Sequence, residues 1–131
     1  MAKGFQKNRE HKDKVALLGK SLIRRSGKKC ELCSASGVSL MVAEVDPAPA
    51  VPDEDHAIMV CERCQTVMGA DKPDAGELRF LESVIWSEIP AVQVSAVRIC
   101  QKLAKTGVDW AETLLETVYL SPEAEAWLQK E

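Results

Sequence analysis

The stretch RRSGKKCELC, residues 24–33, sets two cysteines one tight turn apart behind a run of positive charge. A second pair, CERC at residues 61–64, follows after 27 intervening residues. Two residues between thiolates let one turn present both sulfurs to a single ion at about 2.3 Å, and four such ligands complete a closed tetrahedral shell suited to zinc. A redox CxxC needs one pair with an accessible attacking thiolate, and a second matched pair has no role there. The spacing therefore predicts a structural Zn2+ held by Cys30, Cys33, Cys61 and Cys64, with iron–sulfur binding as the alternative. A closed four-sulfur shell has no open coordination position, so the metal would hold the fold together and would not activate water. Lys28 and Lys29 are placed to offset the net negative charge of a metal tetrathiolate. Cys100, on the apolar side of a helix beside Ile99 and Leu103, reads as a buried small hydrophobe and not as a fifth ligand.

The 131 residues are about the modal size of one domain, and 46% hydrophobic with 28% charged residues is ordinary for a globular chain. No apolar run reaches membrane-spanning length. The charged N-terminus MAKGFQKNREHKDK lacks the apolar core of a secretory signal, which makes the cytoplasm the expected compartment. Net charge is −3, yet residues 1–29 carry ten Lys and Arg against Glu10 and Asp13, a net of +8, which leaves −11 for the rest. A basic segment on an acidic body is an electrostatic footprint for a phosphate backbone or an acidic surface.

The chain divides into three parts. Residues 1–12 lack hydrophobic periodicity and read as a basic mobile arm. Residues 13–70 read as a basic helix plus the four-cysteine zinc module. Within them Asp13 is a candidate cap for a helix over 14–25 with Val15, Leu18 and Leu22 on one face, closed by Ser26-Gly27. The run VSLMVAEV predicts a strand alternating at Val38, Leu40 and Val42. The segment DPAPAVPDED predicts an exposed loop, HAIMV a second strand, and CERCQTVMG a helix stopped by Gly69. Residues 71–131 read as a helical subdomain packed on that module. One helical stripe is Leu78, Leu81, Val84 and Ile85. Another is Val92, Ala96, Ile99 and Leu103, opposite Ser95, Arg98, Lys102 and Lys105, with Ser87 as cap, Pro90 in the first turn and Thr106-Gly107 as the end. Asp109 is the expected cap of a helix with Trp110, Leu114 and Val118 inward, and Ser121-Pro122-Glu123 opens a last one around Trp127 and Leu128. The expected fold class is a small α+β protein: a treble-clef-like zinc module, with two CxxC knuckles and a β-hairpin, followed by an α-helical half.

The treble clef also carries the HNH-type nucleases, in which the first strand ends in a catalytic histidine. Here it ends Ala43-Glu44-Val45-Asp46-Pro47, with Glu44 and Asp46 as candidate Mg2+ ligands and no histidine in place of the general base, which leaves a degenerate nuclease as a minor alternative. His11 and His56 have no evident partner in sequence. The combination of CELC, the EVDPAP turn, CERC, WSEIPAVQV at 86–94 and SPEAEAW resembles the PhnA-like proteins of bacteria, over about residues 17–128. The resemblance is to the N-terminal and central module of that family, without the small C-terminal β domain in which many members continue. It implies a zinc-binding module with Cys30, Cys33, Cys61 and Cys64 as ligands, followed by helices.

The leading functional expectation is a non-catalytic, zinc-stabilised binding module whose basic arm and helix contact RNA, DNA or a ribonucleoprotein such as the ribosome. Lys20, Arg24, Arg25, Lys28 and Lys29 are the candidate phosphate contacts. Aromatic residues for base stacking are scarce nearby, with Phe5 alone in the arm. A helix-turn-helix around Thr106-Gly107 is excluded because Glu112 and Glu116 on its second helix would repel a major groove. The rival expectation is an enzyme or accessory protein of phosphonate metabolism, with a pocket involving Trp86, Glu88 and Gln93.

Overall fold

The computed structural model describes residues 2–130, and their side chains from Glu10 onward with His11 excepted. Among the described residues six α-helices and a two-stranded antiparallel sheet make a small α+β fold. Helix α1 spans Ala2–Ser26, strand β1 Leu40–Glu44 and strand β2 Ala57–Cys61. Then come α2 (Glu62–Gly69), α3 (Leu81–Val84), α4 (Pro90–Lys105), α5 (Asp109–Thr117) and α6 (Pro122–Gln129).

Strands β1 and β2 pair from Leu40↔Cys61 to Glu44↔Ala57. Leu18 and Leu22 of α1 cover one face of this hairpin, against Leu40, Val42, Ala57 and Met59. The opposite face, with Ile58, Val60 and Val45, joins the main core made with α3 to α6. Both faces of β2 are thus covered, and all five of its residues are buried, which is why AIMVC is a continuous apolar run. Helix α4 is the centre of the helical half, with Val92, Ala96, Ile99 and Leu103 buried as the stripe predicts.

Helix ends follow local chemistry. Gly27, at φ 67, closes α1 with the Lys28 N–H donating to Ile23 O at 3.0 Å and the Gly27 N–H to Arg24 O at 3.4 Å, the paired bonds of a Schellman motif. Pro90 sits in the first turn of α4, and Ser121 Oγ caps α6 by accepting the Ala124 N–H. Gly69 is the last residue of α2.

Several expectations are corrected. Helix α1 runs unbroken from Ala2, so Asp13 lies inside it and does not cap it; Ala, Lys, Gln, Arg and Glu all tolerate a helix without an apolar stripe. The stripe at Leu78–Ile85 yields only the single turn of α3, because Glu77 takes a left-handed φ of 62 just before it. Leu78, Leu81 and Ile85 are nevertheless buried. Ser95 is buried, not solvated, because the first half of α4 is enclosed on all sides; its Oγ donates to Ala91 O at 2.8 Å. Ile89, not Ser87, is the N-cap of α4, and Ser87 Oγ instead accepts the Ile89 N–H. Asp109 is the first helical residue of α5 and not its cap. Val38 lies outside β1 and is exposed.

Candidate metal centre

The first cysteine pair is shaped by a tight loop. The Cys30 N–H donates to Ala35 O at 3.0 Å, the Ser34 N–H to Cys30 O at 2.9 Å, and Ser34 turns the chain at a φ of 65. The Cys33 N–H points at Cys30 Sγ, 3.5 Å away. The second pair comes from a strand-to-helix junction: Cys61 ends β2 and is the N-cap of α2, and Cys64 sits in its first turn. The positive end of α2 therefore faces the sulfurs. The Glu31 N–H, donating to Met59 O at 2.8 Å, ties the first loop to β2 and brings the two pairs together.

The four Sγ atoms lie within 4.8 Å of one another, with Cys33 and Cys61 at 3.7 Å, and none forms a disulfide. Cys30, Cys61 and Cys64 are buried and Cys33 is half-buried. Among the described residues this is the only group of three or more potential ligands close enough to hold a metal ion. The Cys30 thiol is lowered to about 4, first by its hydrogen bond with Cys64 and then by the N–H groups of Cys33, Cys61 and Leu32, against burial. The same bond raises Cys64, and burial and the neighbouring sulfurs raise it further, while burial raises Cys33. One buried pocket cannot carry four thiolates without a cation among them. Four soft sulfur donors around one point are the donor set of a metal ion, and the residues fit it.

The charge beside the sulfurs is not the one expected. Lys28 and Lys29 are exposed. Arg63, between the two ligands of CERC, has its charge held on first by a hydrogen bond to Cys33 and then by the sulfurs of Cys33, Cys64 and Cys61. It lies 5.5 Å from the Phe80 ring centroid and 3.4 Å from the Glu77 carboxylate. A cation between the two ligands of the second pair was the one local signal for it, passed over in favour of Lys28 and Lys29. Cys100 is fully buried in α4, outside the cluster, with burial pushing its thiol up to about 11.

The candidate phosphate contacts separate. Lys20, Arg24, Lys28 and Lys29 are exposed. Arg25 instead faces inward: Nε and Nη2 bind both oxygens of the Glu31 carboxylate at 2.9 and 2.8 Å, Nη1 donates to Glu54 O, and Nη2 to Ala57 O, each at 2.9 Å. Glu31, with a side chain only 4% exposed, also accepts the Met59 N–H at 2.8 Å. Arg25 is thereby corrected from a surface contact to a brace between α1, the first cysteine loop and β2. The side chains of Lys3, Phe5, Lys7, Arg9 and His11 lie outside the described residues.

Trp86 and Glu88 are exposed and Gln93 is buried, so the three do not make a pocket together. The Gln93 amide is structural, donating to Ile85 O and Tyr119 O and accepting the Ser121 N–H. His56 packs its ring 4.8 Å from that of Trp127, with no hydrogen bond at Nδ1. Glu44 and Asp46 line a cleft with Arg98, Lys102 and Lys105 and belong to no group of metal ligands among the described residues. No described helix is long and apolar enough to cross a membrane. No family model matches the chain, and neither does any curated protein or solved structure, so the chemistry of the four sulfurs and of the surrounding charges carries the assignment.

Proposed function

We propose that the chain is a non-catalytic binding module, stabilised by zinc in a treble-clef arrangement, whose basic N-terminal helix contacts nucleic acid or a ribonucleoprotein such as the ribosome. Zinc is favoured over an iron–sulfur cluster by the spacing of the sulfurs. A tetrahedron of Zn–S bonds of about 2.3 Å has edges of about 3.8 Å, against 3.7 Å between Cys33 and Cys61 and separations within 4.8 Å for the whole set. An iron–sulfur cluster needs its cysteines farther apart, because inorganic sulfide and several irons stand between them. The order of a cysteine loop, a hairpin and then a helix with the last two cysteines at its N-cap and in its first turn supports the treble-clef reading.

The observation that carries the binding reading is the row of exposed cations along the last two turns of α1 and its cap: Lys20, Arg24, Lys28 and Lys29. Lys20 and Arg24 are one helical turn apart on one face. The acidic remainder of the chain would turn away from a polyanion, orienting α1 toward it. Contacts of this kind are to phosphate, independent of sequence and sensitive to salt. Four of them give a slope of log affinity against log salt of about −3 to −4.

The test is binding to a duplex RNA and to ribosomes, by co-sedimentation at low and near-physiological salt, with the intact chain and Lys20→Glu/Arg24→Glu. The double reversal is expected to abolish binding while metal content and helicity stay native, since neither side chain is buried. Unchanged affinity in the reversal variant, or no binding by the intact chain at low salt, would sink the reading.

A further inference from the structure

The four sulfurs are not equally sheltered. Cys30, Cys61 and Cys64 are 1%, 7% and 0% exposed, whereas Cys33 is half-buried. Cys33 alone of the four lines a cleft of about 310 Å³ between the first cysteine loop and α3, walled by Ser34 on one side and by Phe80 and Ser83 on the other. A cation stands at the same place. Arg63 lies 5.5 Å from the centroid of the Phe80 ring and hydrogen-bonds to Cys33, and its side chain is 46% exposed. An accessible sulfur beside a cation is where an oxidant meets a thiolate, since oxidation follows exposure and thiolate character. The guanidinium also stabilises the negative charge that develops on a departing oxygen.

Two contacts cross between the CxxC pairs. Cys33 Sγ lies 3.7 Å from Cys61 Sγ, while Cys30 is hydrogen-bonded to Cys64. A disulfide needs an S–S distance of about 2.05 Å, so rotation of the Cys33 and Cys61 side chains has only about 1.7 Å to cover. Cys61 ends β2 and is the N-cap of α2, so taking it out of the ligand set acts directly on the hairpin. Leu18 and Leu22 of the basic helix α1 rest on that hairpin.

We propose that Cys33 is an oxidation site: a hydroperoxide converts it to a sulfenic acid, Cys61 resolves this as a Cys33–Cys61 disulfide, and the four-sulfur site thereby releases its ion. The Cys33 thiolate attacks one oxygen of the peroxide, the O–O bond breaks, and the other oxygen leaves as hydroxide. The Cys61 thiolate then attacks the Cys33 sulfur, forming the S–S bond and expelling a second hydroxide. Each thiolate gives up one electron, hydrogen peroxide takes both, and two protons from solvent complete two waters. Cys30 and Cys64 alone do not make the closed shell of a structural site. The inference rests on the metal reading of the four sulfurs and not on nucleic-acid binding. Arg63 is a positioning residue for the first step.

The test loads the full-length chain with zinc, measures its metal content, and follows zinc release under hydrogen peroxide with a chromogenic chelator. Cleavage after glutamates, at Glu31, Glu44, Glu62 and Glu77 among others, puts the four cysteines on separate peptides, so mass spectrometry reads which are joined. Zinc is expected to leave in step with a Cys33–Cys61 disulfide, and a dithiol reductant is expected to restore zinc uptake. Cys100, fully buried, is expected to stay unmodified. Arg63→Gln is expected to slow release by about three- to tenfold and Arg63→Lys to recover most of the rate, a charge dependence that a merely structural role would not produce. A chain that takes up no zinc overturns the metal reading and this proposal with it. Zinc retained under excess peroxide, a disulfide between Cys30 and Cys33 or one involving Cys64, or equal rates in Arg63→Gln overturns the proposal and leaves the metal site standing.

Discussion

The cysteine-bearing half and the helical half are held by different physics, although they share one core. Residues up to Gly69 bury a short hairpin and rely on polar fasteners: four sulfurs around one point, the Arg25–Glu31 pair and the Glu31–Met59 bonds. The helical half rests on α4, buried over Ala91–Val97 and along Ile99, Cys100 and Leu103. Small modules whose apolar area is limited gain stability from metal ligation, whereas a central helix gains it from packing. If the four sulfurs hold an ion, the first half is expected to depend on it more than the second.

Cys61→Ser challenges this division most directly. Structural zinc sites contribute about 10–16 kcal/mol in isolated modules, so loss of one ligand is expected to release the metal and unfold the hairpin. Helical circular dichroism from α4 to α6 is expected to persist in part. A variant that keeps stoichiometric metal and native amide protection in β2 would refute the structural site.

Leu103→Ala acts on the other side. Removing a fully buried leucine costs about 2–5 kcal/mol, and the expected result is a lower denaturation midpoint with metal content unchanged. Metal lost in proportion to stability would instead join the two halves into one cooperative unit.

The smallest expected effect comes from Glu31→Ala, which strips the Met59 N–H of its acceptor and Arg25 of its counter-ion. Breaking a buried pair costs about 3–5 kcal/mol, and the partial exposure of Arg25 reduces that to about 2–3 kcal/mol. Faster exchange at the Met59 amide, with α4 amides unchanged, would locate the loss at the β2 edge.

Much of this was legible in the residues. The grouping of the four cysteines could be read because CxxC is a local device, in which one turn fixes both sulfurs. Leu22, the α4 stripe and the Ser121 cap were legible for a similar reason, since helical period and capping depend on neighbours in sequence. Arg24 and Arg25 were read alike, although Arg25, three residues after Leu22, continues the inward face of α1 and Arg24, four after Lys20, lies on the exposed one. What Arg25 and Arg63 meet there comes from segments far along the chain, which the local pattern does not name. Ser95 looked solvated because α4 alone cannot show that other elements enclose its first half.

The order of residues was enough to specify the four cysteines that cluster, the helix ends at Gly27 and Gly107, and the uneven charge along the chain, because each depends on spacing or on a single residue's backbone preference. Folding in three dimensions was needed to make Arg25 a brace for the hairpin, to set Arg63 beside the sulfurs, and to seal β2 while opening β1 onto a cleft. Those outcomes depend on which surfaces meet, and burial and hydrogen bonding between segments far apart in the chain leave no periodic trace in the order of amino acids.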